Sequence, residues 1–387
     1  MENFENILER SKMLSFDLNF EYARNWKSKE ASRVILGYTP IYFPREIVHA
    51  VNGLPVGIFG SGDRKQIIKG DAFYQSYICH IPRGIIEMVL DGNMKSFDGF
   101  VFPSICDVMR NLSGIFKIQK KGKFVKYLDY PQNFNSEIGG TFYIQEMKHI
   151  LEYIYEINNV KLTTEHLNNS IRLFNKNRQL IKAIYDLRRE FPWRITYEEL
   201  YHIIRAGTVI TVEEHNEMLE GVLDFLKNEK GEPLDKIKVI IYGAFCEQPP
   251  VGLIKTIELA GCYIIDDDLI LGSRWIQGDI KDDTDDPLKA LSEAYLNNST
   301  FSSSMYDVNN PKGERLVKLA KESKADGIIF AAPSFCDPAL LDIPQLQQAC
   351  DKYDIRHIMF QFSENTGQFK VIKEQVGAFS DSIKLWV

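Results

Sequence analysis

Two cysteines stand at matching places in two similar stretches of the sequence, where a thiol could do chemistry. Residues 98–107 read DGFVFPSICD and contain Cys106, and residues 326–337 read DGIIFAAPSFCD and contain Cys336. In each stretch an apolar strand-like run leads into a Pro-Ser step. Because proline cannot donate the next ladder hydrogen bond, we expect the strand pairing to end there. A thiol at the carboxyl end of a strand lies where ligands bind in open α/β sheets.

A third cysteine, Cys79, precedes a helix that begins near Pro82. Iron–sulfur clusters need several thiolates at one point. The chain has no CxxC pair, so any such site must be assembled from distant positions, and Cys79, Cys106 and Cys336 form the natural set. Cys246, which follows a predicted strand and precedes Glu247, is a further candidate. The alternative is that these cysteines pack as small buried hydrophobes; spacing alone leaves both interpretations open.

Other chemical patterns are weaker. The glycine-rich segment 57–65, GIFGSGDRK, lacks Gly-Lys followed by Ser or Thr and does not fit GxGxxG, so we interpret it as a loop. ATP chemistry is therefore not expected on this chain. The acidic run 266–268, followed by Gly-Ser-Arg at 272–274, is consistent with a bound cation or with a turn and helix cap. His49 and His80 lie near the predicted cleft, although lone histidines are more often structural.

Composition narrows the class of protein. The 387 residues suit two or three domains, and a net charge of -7 with a pI of about 5.7 argues against nucleic acid as a partner. The apolar runs are too short to span a bilayer, and no signal peptide begins the chain, so we expect a cytoplasmic protein without a membrane partner. Disulfides are not expected in that reducing compartment. Cys262 and Cys350 are predicted to be core residues.

The elements that would position these cysteines also repeat. Residues 34–58 and 239–265 each contain a β-branched strand, a glycine-containing turn, a helix started near proline and ended at glycine, and a second strand. This is the pattern of a βαβ unit. In both halves it precedes the stretch with the Pro-Ser step. The sequence therefore predicts two similar α/β domains with their cysteines at equivalent strand ends.

The middle of the chain has helical periodicity instead. Thr196 with Glu199, and Thr211 with Glu214, each match a capping box, and Gly207 is a natural stop for the helix begun at Thr196. We therefore predict three segments. They are a first α/β domain with an N-terminal helix (1–135), a helical segment (136–230) and a second α/β domain (231–387).

Longer stretches of the sequence carry a family resemblance that runs nearly end to end. They read GDAFYQSYICHIPR, FPSICDVMRNLSG, FCEQPP, ELAGCYIIDDD, AAPSFCDPALL and AFSDSIKLWV. The chain resembles the 2-hydroxyacyl-CoA dehydratase D-component family, and within it the gamma subunits of class I, ATP-dependent benzoyl-CoA reductases. That resemblance implies two flavodoxin-like (Rossmann-like) domains with a [4Fe-4S] cluster between them. It implies Cys79, Cys106 and Cys336 as cluster ligands, and Cys246, next to Glu247, as a fourth ligand or a neighbour of the site.

The resemblance also implies an activity and partners. It points to an oxygen-sensitive oxidoreductase subunit that reduces the ring of benzoyl-CoA, or of a close aromatic acyl-CoA, to a dienoyl-CoA. A related beta subunit would pair with it, and separate subunits holding ATP and Mg would pass on electrons from ferredoxin. One-electron reduction of an aromatic thioester needs a donor near the low end of cluster potentials, about -700 mV. No proton donor or other catalytic residue can be named from the sequence.

One feature departs from the reductase pattern. Gly272-Ser273-Arg274 looks more like the dehydratase-type members of the family. The alternatives are therefore a subunit of a 2-hydroxyacyl-CoA dehydratase and a partner whose cluster only relays electrons to the catalytic subunit.

Overall fold

The computed structural model describes residues 3–39, 41–75, 77–243, 249–363 and 368–385, and within them strands and helices alternate in two sets. The first sheet contains β1 (Val34–Tyr38), β2 (Gly53–Gly57), β3 (Gly99–Pro103) and β4 (Phe124–Leu128). The second contains β5 (Ile237–Tyr242), β6 (Cys262–Asp267), β7 (Gly327–Pro333) and β8 (His357–Phe362).

Helices cover the sheets and fill the middle of the chain. Those before and around the first sheet are α1 (Phe4–Ser15), α2 (Glu21–Ser28), α3 (Arg45–His49), α4 (His80–Leu90) and α5 (Asp107–Gln119). The middle helices are α6 (Thr141–Asn158), α7 (Thr164–Glu190), α8 (Tyr197–Ala206) and α9 (Val212–Asn228). Those of the second half are α10 (Val251–Leu259), α11 (Pro287–Asn298), α12 (Lys312–Glu322), α13 (Asp337–Lys352) and α14 (Phe369–Lys384). No described helix is both long and apolar enough to cross a membrane.

The two sheets have the same topology. Their strand orders are β2-β1-β3-β4 and β6-β5-β7-β8, and every neighbouring pair is parallel. The residues of β1, β2, β3, β6 and β7 are buried throughout, as expected for parallel strands covered on both faces. The predicted α/β fold with two similar, flavodoxin-like sheets is confirmed, and β2, β1, β3 and β4 correspond in order to β6, β5, β7 and β8.

The pairing of β3 and β7 ends at the Pro-Ser steps, as predicted: the last paired residues are Pro103 and Pro333. Pro103 pairs with Leu128, and the next amide, that of Ser104, donates to Leu128 O at 2.9 Å. In the second sheet the Ser334 amide donates to Phe362 O at 2.7 Å. Successive amides of a strand point to opposite neighbours, so the missing N–H of each proline falls on the other side. The missing N–H therefore removes no hydrogen bond to β4 or β8, and each strand includes its proline.

The middle helices confirm one capping box and half of another. Thr196 and Glu199 exchange both capping hydrogen bonds, and α8 ends just before Gly207. Thr211 accepts from the amide of Glu214, but the Glu214 carboxylate bonds to Arg10 instead of returning to the cap. This ion pair ties α1 to α9, and α1 also packs on α8. The N-terminal helix thus contacts the predicted helical segment, while the two boundaries between the three predicted segments stay predictions.

An aromatic cluster joins the two halves. The hydroxyl of Tyr42, in the loop after β1, donates to Thr300 O at 2.8 Å and accepts the amide of Ser302 at 3.0 Å. The ring of Tyr42 packs edge-on against rings from both halves, namely Tyr130, Tyr295 and Trp275. These contacts bury polar aromatic groups between the halves with most of their hydroxyls bonded, as packed interiors require.

Candidate metal centre at the sheet edges

Each of the three predicted ligand cysteines directly precedes a helix. Cys106 follows β3 and is the N-cap of α5, and Cys336 follows β7 and is the N-cap of α13. Cys79 is the N-cap of α4. The amino end of a helix carries a partial positive charge, which favours a thiolate over a thiol. Sequence and topology thus give all three sulfurs the same electrostatic setting.

Electrostatic contacts show that the cysteines from the two halves lie near one another. The pKa of the Cys106 thiol is raised to about 11, chiefly by burial and also by Cys336, while hydrogen bonds from the backbone amides of Met109 and Val108 lower it. Cys79 and Cys106 both raise the pKa of Tyr74, whose main perturbation is burial. Cys106 and Cys336 therefore lie within electrostatic range of each other, and Cys79 and Cys106 both lie within range of Tyr74.

These side chains do not form a finished ligand set. In the described ranges, no group of three or more His, Cys, Asp or Glu side chains is arranged to hold a metal ion. Cys246 and Glu247 lie outside the described residues. Ligation of a cluster by Cys79, Cys106 and Cys336 therefore stays a prediction.

The residues nevertheless fit an iron–sulfur cluster in kind. Thiolates are the usual ligands of such clusters. Beside Cys79 and Cys106, the hydroxyl of Tyr74 is buried and has no hydrogen-bond partner among the described residues. A buried donor without a partner is costly, and cluster and thiolate sulfurs accept hydrogen bonds. The vacant donor is consistent with a sulfur-rich group at this edge.

The acidic run at the end of β6 forms ion pairs within the chain. Asp266 accepts from the Nε of Arg189 at 3.1 Å and lies 3.3 Å from Arg274, which also pairs with Asp267 at 3.3 Å. Tyr185 donates to Asp267. The bound-cation interpretation of this run has no support in these contacts, because the arginines supply the positive charge.

The sequence analysis did not identify α7 as the helix whose side chains bond to the acidic run 266–268. Tyr185 and Arg189 are four residues apart on α7, so both face the end of β6. That spacing is visible in the sequence, but nothing in it says which strand the face meets.

The remaining sequence candidates are placed as follows. Cys262 and Cys350 are buried in the core, as predicted. His80 is the buried first residue of α4, directly after Cys79. His49 ends α3 and bonds to Ser170, so it faces α7 rather than the cysteines.

Comparison with known proteins agrees with this architecture. The profile of the family described as 2-hydroxyglutaryl-CoA dehydratase, D-component, matches residues 40–383. The chain belongs to this family. The matched range of the D-component family includes Cys79, Cys106, Cys246 and Cys336. The family resemblance predicted from the sequence is confirmed.

Three relatives within the D-component family align along nearly their whole length. A benzoyl-CoA reductase subunit from Thauera aromatica is 45% identical over 98% of this chain and 99% of its own. The (R)-2-hydroxyglutaryl-CoA dehydratase beta subunit of Acidaminococcus fermentans is 28% identical over 92% and 94%, respectively. The (R)-phenyllactyl-CoA dehydratase beta subunit of Clostridium sporogenes is 26% identical over 92% and 93%.

Proposed function

We propose that the chain is a subunit of an oxygen-sensitive iron–sulfur enzyme that reduces the ring of benzoyl-CoA, or of a close aromatic acyl-CoA, to a dienoyl-CoA. The observation that carries this proposal is the difference in identity. The benzoyl-CoA reductase subunit is 45% identical to the chain, whereas the dehydratase subunits are 25–28% identical. The assignment to the gamma subunit of the class I enzymes is part of the proposal.

The cofactor is a [4Fe-4S] cluster held by Cys79, Cys106 and Cys336, with Cys246 as the candidate fourth ligand and Glu247 beside it. When bound, the cluster supplies one electron at a time at low potential. The chain's own part is to place three cysteines at helix amino ends and to shield them from solvent. Cys336 is 5% exposed, and Cys79 and Cys106 are half-buried. Such burial keeps water from the site and tunes the potential.

The proposal also assigns the energy source to other chains. The catalytic pair is completed by a related beta subunit, and separate ATP-hydrolysing subunits, which hold ATP and Mg, pass on electrons from ferredoxin. The segment 57–65 supports this division, because it lacks the lysine and hydroxyl residue of a P-loop. In the fold, Gly62–Arg64 forms only a short 3-10 turn.

The second candidate is a subunit of a 2-hydroxyacyl-CoA dehydratase, favoured by the names of the more distant relatives. Gly272-Ser273-Arg274 gives it less support than the sequence suggested. Arg274 is engaged by Asp266 and Asp267, which explains this arginine by ion pairing within the chain. The electron-relay role, with chemistry in the partner subunit, is the third candidate.

Metal content and turnover test the proposal together. The complex would be purified without oxygen and its iron and acid-labile sulfide measured in wild type and in Cys79→Ala, Cys106→Ala and Cys336→Ala. We expect each variant to lose the iron of this subunit. Cys350→Ala is the matched control, because Cys350 is a buried core residue on the same helix as Cys336. Unchanged iron in all three variants would remove the ligand assignment.

Turnover then separates the candidate reactions. The wild-type complex would be assayed with benzoyl-CoA and with a 2-hydroxyacyl-CoA, and we expect product only from the first. Product only from the second would establish the dehydratase instead. A substrate bound against the partner's cluster alone, seen in a structure of the complex, would establish the relay role.

Tyr74 gives a finer test. If its hydroxyl donates to a cluster or thiolate sulfur, Tyr74→Phe should keep the iron but lower the reduction potential, because a hydrogen bond to sulfur stabilises the reduced cluster. Tyr295→Phe is the matched control. It removes another buried hydroxyl without a partner in the described chain, and no cysteine perturbs Tyr295. Equal potentials in the two variants would exclude the hydrogen bond.

A further inference from the structure

A separate cavity lies along the outer edge of β2, on the side away from the rest of the first sheet. Its volume is about 370 Å³, and its walls come from α2, α3, α7, β2 and the residues that begin α9. Cys79, Cys106 and Cys336 are not among its lining residues. The proposed cluster chemistry therefore makes no use of this cavity.

Arg45 brings a buried positive charge to the cavity wall. It is 7% exposed, its guanidinium lies 5.0 Å from the Phe174 ring, and its Nη1 is 3.5 Å from Gly207 O. No carboxylate pairs with it in the described part of the chain, because the adjacent Glu46 bonds to Arg178 at 2.7 Å. A buried charge without a counter-charge is costly. This wall of the cavity therefore favours an anion.

His49 lies on the same wall and is held by two hydrogen bonds. The Ser170 hydroxyl donates its only proton to Glu46 O at 2.9 Å, so it accepts from His49 Nδ1 at 2.9 Å. His49 Nε2 lies 2.9 Å from Glu213. Burial opposes ionisation of Glu213, but the hydrogen bond and charge of His49 hold the pKa of this carboxyl below its ordinary value. His49 therefore engages the Glu213 carboxylate on one side and the Ser170 hydroxyl on the other.

The carboxylates of the cavity wall are already engaged. Glu213 is paired with His49, and Glu214 forms an ion pair with Arg10 and accepts the Tyr22 hydroxyl at 2.6 Å. Neither carboxylate is available to Arg45. The charge of Arg45 is therefore not balanced by an acidic residue of the wall.

Two more cations and an aromatic ring complete the wall on the α2 side. Arg33 lies 4.5 Å from the Trp26 ring and 3.5 Å from Glu30. Lys29 is exposed and has no ion pair within the described ranges. The cavity is thus positive within a chain of net charge -7. Trp26 and Phe174 give it flat apolar surface beside the charges.

We propose that this cavity binds a phosphate monoester of a small flat organic group, with the phosphate on Arg45 and the organic group against Trp26 and Phe174. Arginine matches the oxygens of a phosphate with paired hydrogen bonds. A volume of about 370 Å³ lies within the range of small-molecule sites, roughly 300–1,000 Å³. The site is independent of the proposed reductase function.

Calorimetric titration of the assembled complex tests the site with phenyl phosphate, inorganic phosphate and phenol. We expect phenyl phosphate to bind, inorganic phosphate to bind more weakly, and phenol not to bind. Arg45→Met should weaken phenyl phosphate binding about tenfold or more, the effect of losing charge-assisted hydrogen bonds. Lys29→Ala, at an exposed position, should weaken it about two- to fivefold. Lys373→Ala removes an exposed lysine of α14 and should leave the affinity unchanged.

Thermal unfolding separates a binding role of Arg45 from a structural one. Phenyl phosphate should raise the unfolding temperature of wild type, relative to sodium chloride at equal ionic strength, and should not raise that of Arg45→Met. If Arg45→Met does not fold, Lys29→Ala decides by its weaker binding. No stabilisation of wild type, or equal binding by wild type and the variants, would overturn the proposal. Binding of coenzyme A but not of phenyl phosphate would overturn it in favour of the coenzyme's own phosphate.

Discussion

The two sheets share a fold and a cysteine position but differ at their edge strands. Cys106 and Cys336 stand at equivalent ends of β3 and β7. The equivalent edge strands end differently: β2 ends at Gly57, whereas β6 runs into the buried carboxylates 266–268. Both halves thus have a cysteine at the equivalent position, although the residues at the ends of the neighbouring edge strands differ. This agreement is consistent with a common role for Cys106 and Cys336.

The edge strands are also secured by different forces. In the first half, the Gly57 amide donates to Thr208 O at 2.7 Å, so the loop before α9 covers the strand end through its backbone. In the second half, Arg189 and Arg274 neutralise the aspartates that end β6. One strand end therefore depends on backbone pairing and packing, and the other depends on buried charge.

The largest expected effect comes from breaking the charged strand end. Arg274→Met should lower the free energy of unfolding by about 3–5 kcal/mol, because it leaves the buried carboxylate of Asp267 without its counter-charge. Chemical denaturation measures this change. Adding Asp267→Asn to Arg274→Met should recover a large part of it, since the pair partner is then neutral.

A surface ion pair provides the control for this measurement. Arg172 lies 3.6 Å from Asp282 with 58% of its side chain exposed, so Arg172→Met should cost less than about 1 kcal/mol. Equal costs for Arg274→Met and Arg172→Met would mean that buried charge does not secure the end of β6.

The two strand ends also differ in how far the sequence predicts them. The βαβ repeats were predictable because β-branched runs, proline and glycine mark strands and helix ends locally, as in residues 34–58. The cysteine positions followed from the same local pattern. The pairing of Arg189 with Asp266 spans 77 residues, and that of Arg10 with Glu214 spans 204. Such partners depend on how helices dock, which no local pattern encodes.

Lowering the pH should destabilise the loop that covers the end of β2 in the first half. His215 packs against Gly207, in the loop that covers β2. Its ring is buried, accepts a hydrogen bond from the Asn177 side chain and donates Nε2–H to Ile203 O at 3.1 Å. Burial lowers its pKa from 6.5 to about 3, so the folded state binds fewer protons than the unfolded state. The stability that the neutral ring contributes is complete above about pH 6.5 and is lost as the pH falls toward 3. At pH 5 the loss is about 2 kcal/mol.

Denaturation at pH 7.5 and pH 5 would measure this loss in wild type and in His215→Leu. The leucine variant should be less stable at pH 7.5, but its further loss at pH 5 should be smaller by about 2 kcal/mol. Hydrogen exchange should show the Gly57 amide opening at pH 5 before the amides of β6. The same pH dependence in both proteins would rule out this role for His215.

The smallest expected effect concerns Phe335, and Ile105 at the equivalent position of the first half provides the contrast. Phe335, before Cys336, has a φ of 63° and is 50% exposed, whereas Ile105, before Cys106, has no such backbone and is 4% exposed. A left-handed conformation costs an L residue about 1–2 kcal/mol, and glycine adds an entropy cost of about 0.5–1 kcal/mol, so Phe335→Gly should stabilise the isolated chain by up to about 1 kcal/mol. Ile105→Gly should destabilise it by about 3 kcal/mol or more, because a buried side chain is lost. Chemical denaturation of both variants measures these changes in stability. A loss of stability in Phe335→Gly would contradict the prediction. It would mean that the Phe335 ring, although half exposed, holds Cys336 in place by packing, as Ile105 does for Cys106.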